Sequence, residues 1–257
     1  MGNSPHTVSI HILDDDSFLN IFYLYRPMII FDEKEYGSED RNYGGQDRGV
    51  RVPERWWYKL AQVCQRWRKI ILGSASYLDI CLVCTYGTPV ADMLAHSPPF
   101  PLVIDFFRAH GEITTEDKEG MFLALERRDR ICRVRLLMND PNLRNLIMAI
   151  DEEYPVLESL VMTLDVKRDM VLMLPATLRA PHLRHLTLKG FVLPIGSRLL
   201  ATAVGLVTLT LYMEYQSAYF DPNTLLQWIS FMPKLETLSA VSHVISVKKG
   251  DACLRQS

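Results

Sequence analysis

The hexapeptide LRHLTL, Leu183–Leu188, decides how most of the chain is read. It fits the pattern L-x-x-L-x-L. Four further segments fit it with small variations: ICRVRL from Ile131, LESLVM from Leu157, LVTLTL from Leu206 and LETLSA from Leu235. Their starts lie 26, 26, 23 and 29 residues apart. Self-similarity at such a period marks stacked structural units, each too small to bury its own apolar face. The first, fourth and sixth positions point inward. Those between them point outward, because successive strand side chains alternate faces.

Between these segments lie stretches read as helical returns: TEDKEGMFLALERR, PNLRNLIMAIDEEY, MVLMLPATL, IGSRLLATAV and PNTLLQWISFM. Two looser strand-like segments, YLDICLV and LVIDFF, come before the first match. The spacing falls within the 20–29-residue period of leucine-rich repeats. Residues 75–245 are therefore expected to form an irregular leucine-rich-repeat solenoid of α/β class, with parallel strands and helical returns. Its outward strand positions begin basic and turn hydroxyl-rich. Arg133, Arg135, Thr163, His185, Lys189 and Tyr212 are the candidate substrate-binding residues. Basic side chains there either form a merely solvated face or would suit an acidic or phosphorylated peptide. The segment 246–257 is polar and carries no further repeat, so the C-terminal edge of the solenoid is expected to be exposed or frayed.

The N-terminal part is different material. Residues 1–10 read as a polar tail. A helix is expected from Asp15, with aspartates favouring its positive end and Phe18, Ile21, Phe22 and Tyr25 forming one apolar face. Residues 32–54 are charged and contain glycine without an apolar period, which predicts a solvated loop. RWWYKLAQVCQRWRKIIL, Arg55–Leu72, then holds three of the chain's 4 tryptophans, and Trp57, Leu60, Ala61, Cys64, Trp67 or Arg68, and Ile71 track a second helical stripe. Two helices of this size cannot bury both their faces alone.

Composition narrows the function. The 28 Lys and Arg against 30 Asp and Glu leave a net charge of −2, which gives no electrostatic case for nucleic acid. The 5 cysteines form no even framework and the N-terminus has no signal-peptide pattern, so reduced thiols in the cytoplasm or nucleus are expected. Cys81 and Cys84 lack a second pair or nearby histidines, so no metal is expected. The uncharged run Leu199–Met213 is shorter than the roughly 20 residues a membrane span needs. There is no phosphate loop, nucleophile elbow or zinc-protease motif, hence no catalytic residues and no cofactor are expected.

ILDDDSFLNIFYL and LAQVCQRWRKIIL together resemble the two halves of an F-box. Leu13, Asp16, Phe18, Ile21, Phe22 and Leu24 match its first half, and Val63, Cys64, Trp67 and Arg68 its second. Asp14 replaces the usual proline, and the loop at 32–54 lengthens the module. With the repeats behind it, the chain looks like fungal F-box proteins with a C-terminal leucine-rich-repeat region. The resemblance covers residues 11–72 for the F-box and most of the remainder for the repeats. It implies a non-catalytic substrate receptor of an SCF ubiquitin ligase. Residues 11–72 would dock on a Skp-type adaptor, and through it on cullin and RING subunits, while the repeats hold an unknown protein substrate. The adaptor anchors would come from Leu13, Phe18, Ile21, Phe22, Cys64 and Trp67. The rival reading is a repeat-only interaction scaffold whose N-terminal helices merely cap the solenoid.

Overall fold

The structure, a computed structural model, describes residues 12–26, 56–107, 113–138, 143–164, 172–194, 196–213 and 222–242. The expected loop at 32–54 and the tails at 1–10 and 246–257 lie outside the described residues. The chain divides into two units. One falls within Met1–Val83 and His96–Pro101, the other within Cys84–Ala95 and Leu102–Ser257.

The first unit is helical. Helix α1 spans Asp15–Tyr25 and is capped by Asp14, whose carboxylate accepts from the Ser17 amide at 2.7 Å. The tryptophan-rich stretch forms two helices where one was expected: α2, Trp56–Ala61, and α3, Gln65–Gly73. The break has a visible cause. Cys64 is extended and caps α3 through its sulfur, which accepts from the Trp67 amide at 3.5 Å. The Ala61 carbonyl, released from helical pairing, accepts instead from Arg68 Nε at 3.0 Å.

The second unit is built on strands. Strand β1, Leu82–Cys84, and helix α4, Val90–His96, straddle the division, with Leu82, Val83 and His96 falling in the first unit; strand β2, Leu102–Phe106, helix α5, Thr115–Leu125, and strand β3, Ile131–Met138, follow. Helix α6, Leu143–Ala149, leads to β4, Ser159–Leu164, then β5, Leu172–Met173, β6, His185–Lys189, and β7, Phe191–Val192. Helix α7, Arg198–Thr202, strand β8, Thr208–Met213, helix α8, Pro222–Ser230, and strand β9, Thr237–Ser242, complete the order. A seven-stranded sheet runs β1-β2-β3-β4-β6-β8-β9, and β5 pairs with β7 in a small second sheet. The fold is mixed α/β around a parallel sheet. Of MVLMLPATL, the described part from Leu172 is not helical: Pro175 removes a donor and disfavours helical backbone just before it, and Leu172–Met173 form β5 instead.

Parallel pairing follows the sequence period. Arg133, Ser159, His185, Thr208 and Thr237 are register partners in succession, separated by 26, 26, 23 and 29 residues. One backbone contact recurs at each step. The amides of Arg184 and His185 both donate to the Glu158 carbonyl, those of Val207 and Thr208 to Arg184, and those of Glu236 and Thr237 to Val207, all at 2.8–3.0 Å. Inward positions Val134 and Leu136, Leu160 and Met162, Leu186 and Leu188, and Leu209 and Leu211 are each at most 2% exposed. Burying one such leucine contributes about 2 kcal/mol. On β9 the pattern stops: Leu238, partner of Leu209, is 45% exposed.

Turns between the layers are built as tightly. Thr114 and Asp117 form a capping box at the start of α5, and Asp117 also accepts from the Gly87 amide at 2.8 Å. Its buried carboxylate is thus satisfied by three donors: Gly87 N, Thr114 N and Thr114 Oγ. Gly190, with φ +77°, turns the chain from β6 into β7, and a Cβ there would lie 2.8 Å from Leu164 Cβ. Tyr154 is buried and its hydroxyl donates to the Ala149 carbonyl at 3.5 Å. Burial pushes its phenol up to about 12, against the pull of the Arg128 guanidinium.

Leu188→Ala should cost about 3 kcal/mol in urea denaturation, while Leu238→Ala should cost under about 1 kcal/mol, because only the first leaves a closed cavity. The Tyr154 phenol is expected to keep its proton until about pH 12, read as a late-ionising component near 295 nm. Below pH 10 both the folded and unfolded phenol are protonated, and the raised folded value contributes its full stability. Between the unfolded value of 10.0 and about 12 the unfolded chain ionises first, so stability falls as pH rises.

Candidate functional site

In the helical unit, Phe18 and Phe22 sit four apart on α1, and both rings meet Trp67 of α3. Centroid separations are 5.5 Å for Phe18–Trp67, 5.0 Å for Phe22–Trp67 and 6.0 Å between the phenylalanines. Edge and tilted contacts of this kind add to simple burial. Phe18 and Phe22 are each only 1% exposed. This corrects the expectation for both: as folded, they hold the unit together and offer no surface to a partner. Trp67 is half-buried. Leu13, Ile21 and Cys64 are exposed, and Cys64 works mainly as the cap of α3.

A residue that the pattern reading passed over ties this arrangement together. Arg66 donates from Nε to Asp15 at 2.8 Å and from Nη2 to the Leu13 carbonyl at 2.6 Å, and its guanidinium lies 4.8 Å above the Phe18 ring. It clamps the start of α1 onto α3. The signal was present in the run of aspartates facing an arginine-rich helix, but sequence cannot tell which of Arg66 and Arg68 turns inward. Beyond the clamp, α1 carries apolar side chains that its own unit does not cover. Ile21 is 45% exposed, and Leu24 and Tyr25, one helical turn further on, are 82% and 62% exposed, the Tyr25 ring lying 6.5 Å from that of Trp56. Ile12 before the helix and Val63 between α2 and α3 are also exposed.

In the sheet unit, the outward positions form rows across the strands. One row runs Arg133, Ser159, His185, Thr208, Thr237. The next runs Arg135, Val161, Thr187, Thr210, Ser239, and a third runs Leu137, Thr163, Lys189, Tyr212. With strands about 4.8 Å apart, five positions span about 19 Å. The six residues named from sequence all fall in these rows, and Thr163, Lys189 and Tyr212 are neighbours in one of them. Thr163 and Arg135 are the most closely held. Thr163 is buried. Arg135 lies 3.7 Å from the Asp105 carboxylate, with side-chain exposures of 13% and 11%, and its guanidinium covers the Phe107 ring at 4.7 Å. Arg133, Lys189, His185 and Tyr212 are half-buried. His185 Nδ1 is buried without a hydrogen-bond partner among the described residues.

The charge on this face is one-sided. Outward positions of β3, β4, β6, β8 and β9 named in these rows include Arg133, Arg135 and Lys189 and no carboxylate. Asp105 on β2 is engaged by Arg135. No helix among the described residues is long and apolar enough to cross a membrane. The chain matches no family model, no curated protein and no solved structure.

Asp105→Ala should destabilise the protein by about 3 kcal/mol, because it takes a carboxylate away from a largely buried guanidinium. Replacing Asp105 and Arg135 together by Ala and Met should recover most of that loss. Chemical denaturation of the three variants measures both values.

Proposed function

We propose that the chain is the substrate-recognition subunit of an SCF-type ubiquitin ligase. Its helical unit would dock on a Skp-type adaptor, and its outward strand face would hold a protein substrate. Ubiquitin transfer then belongs to the other subunits, and this one acts by holding the substrate near them. One observation carries the reading. The two sequence halves that resemble an F-box meet through Phe18, Phe22 and Trp67, while Ile21, Leu24 and Tyr25 remain exposed on α1. Apolar side chains grouped on one face of a small helical unit suit burial in a partner's groove. In this reading the adaptor surface centres on Leu13, Ile21 and Leu24, with Cys64 and the accessible part of Trp67 beside them.

The repeats supply the other surface. A leucine-rich-repeat arrangement of the sheet accords with the recurring backbone contact at Glu158, Arg184 and Val207. The cations and the hydroxyls of Ser159, Thr187, Thr208 and Thr210 favour a substrate segment that carries acidic groups. Such a protein would work in the cytoplasm or nucleus.

Co-purification with a Skp-type adaptor tests the proposal. Ile21→Asp and Leu24→Asp should each weaken adaptor binding by about 30-fold or more, the loss of a contact worth about 2 kcal/mol. Both positions are exposed, so the melting temperature should stay within about 2 °C of the parent. An unaltered adaptor interaction in both variants, or none in the parent, would return the chain to the scaffold reading.

A further inference from the structure

The helical unit contains a depression of about 280 Å³ whose wall combines an apolar side with an arginine. Trp57, Leu72 and Leu82 supply the apolar side, and Gln62, Arg68 and His96 the polar one. Trp57 is fixed from behind by an edge contact to Phe100 at 5.5 Å. Arg68 is held by its stem: Nε donates to the Ala61 carbonyl at 3.0 Å, made available by the break between α2 and α3. That bond uses one donor and sets the plane of the guanidinium. Its terminal Nη groups pair with no carboxylate among the described residues, and no aspartate or glutamate lines the depression.

A guanidinium with its plane fixed and its outer donors unspent matches the two oxygens of a carboxylate. A rigid indole beside it matches an apolar group on the same ligand. The volume lies just below the range of pockets for drug-sized ligands, so the ligand is small. We propose that this depression binds a small apolar carboxylate, presented either as a free acid or as the carboxyl end of a peptide with an apolar last residue. None of Trp57, Gln62 and Arg68 is among the anchor residues named above for the adaptor or the substrate.

Titration of the full chain, followed by tryptophan fluorescence, tests this with N-acetyl-leucine and its amide as probes. The acid should give a saturable change and the amide none. Arg68→Lys keeps the charge but loses the fork, and should weaken acid binding about tenfold, the equivalent of one charge-assisted hydrogen bond. Gln62→Glu places a competing carboxylate at an exposed position where folding is not at risk, and should abolish binding. A second arm compares a hexapeptide ending in leucine as free acid and as amide. Binding of the peptide acid more than tenfold tighter than that of N-acetyl-leucine assigns the site to chain ends, and equal binding assigns it to free acids. Equal binding of acid and amide, or undiminished binding in Gln62→Glu, overturns the proposal.

Discussion

A parallel strand cannot pair with its predecessor until the chain has crossed back. Each step from β3 to β9 therefore closes a segment of 23 to 29 residues before its ladder can form. What offsets that ordering cost is the pair of inward side chains that every strand delivers to the same layer. Leu186 and Leu188 are covered because Leu160 and Met162 stand on one side and Leu209 and Leu211 on the other. No strand of this sheet could bury its apolar edge by itself. The same pairing fixes the other face, since a register slip of one residue would turn leucines outward and the Arg133, His185 and Lys189 rows inward.

The helical unit solves a similar problem with fewer residues. Its aromatic rings are large enough that three of them fill the contact between α1 and α3. That leaves the aliphatic side chains of α1 with nothing to cover. Arg66 makes this division possible. By engaging Asp15, the Leu13 carbonyl and the face of Phe18 together, it sets how α1 enters, and with it which residues turn outward. The exposed side chains are thus a consequence of how the interior is filled.

The strands were legible in the sequence because leucine spacing reports burial directly: positions 1, 4 and 6 of four segments are the ones that disappear from solvent. The helices were less so. A continuous apolar stripe across Arg55–Leu72 says nothing of Cys64 adopting an extended backbone, since that depends on a sulfur accepting from the Trp67 amide. The stripe on α1 gave the apolar face correctly but could not sort Phe18 and Phe22 from Ile21, because the sorting is done by Trp67, some fifty positions away in sequence. Asp105 was hidden for the same reason. In LVIDFF it reads as one polar interruption of a strand, and only the neighbouring strand shows that it answers Arg135. MVLMLPATL misled because its apolar content outweighed the backbone restriction imposed by Pro175.

Gly190 joins two of these features. It stands where β6 leaves the main sheet and β7 begins the small one, and the space that a methyl group would need is already occupied by Leu164. The backbone there also takes a twist that other amino acids resist. Drift at this codon is therefore closed from two directions at once, whatever the remaining surface has been free to become. In a population of descendants of this chain, position 190 would stand out as a silent column, kept by geometry and carrying no information about the ligand.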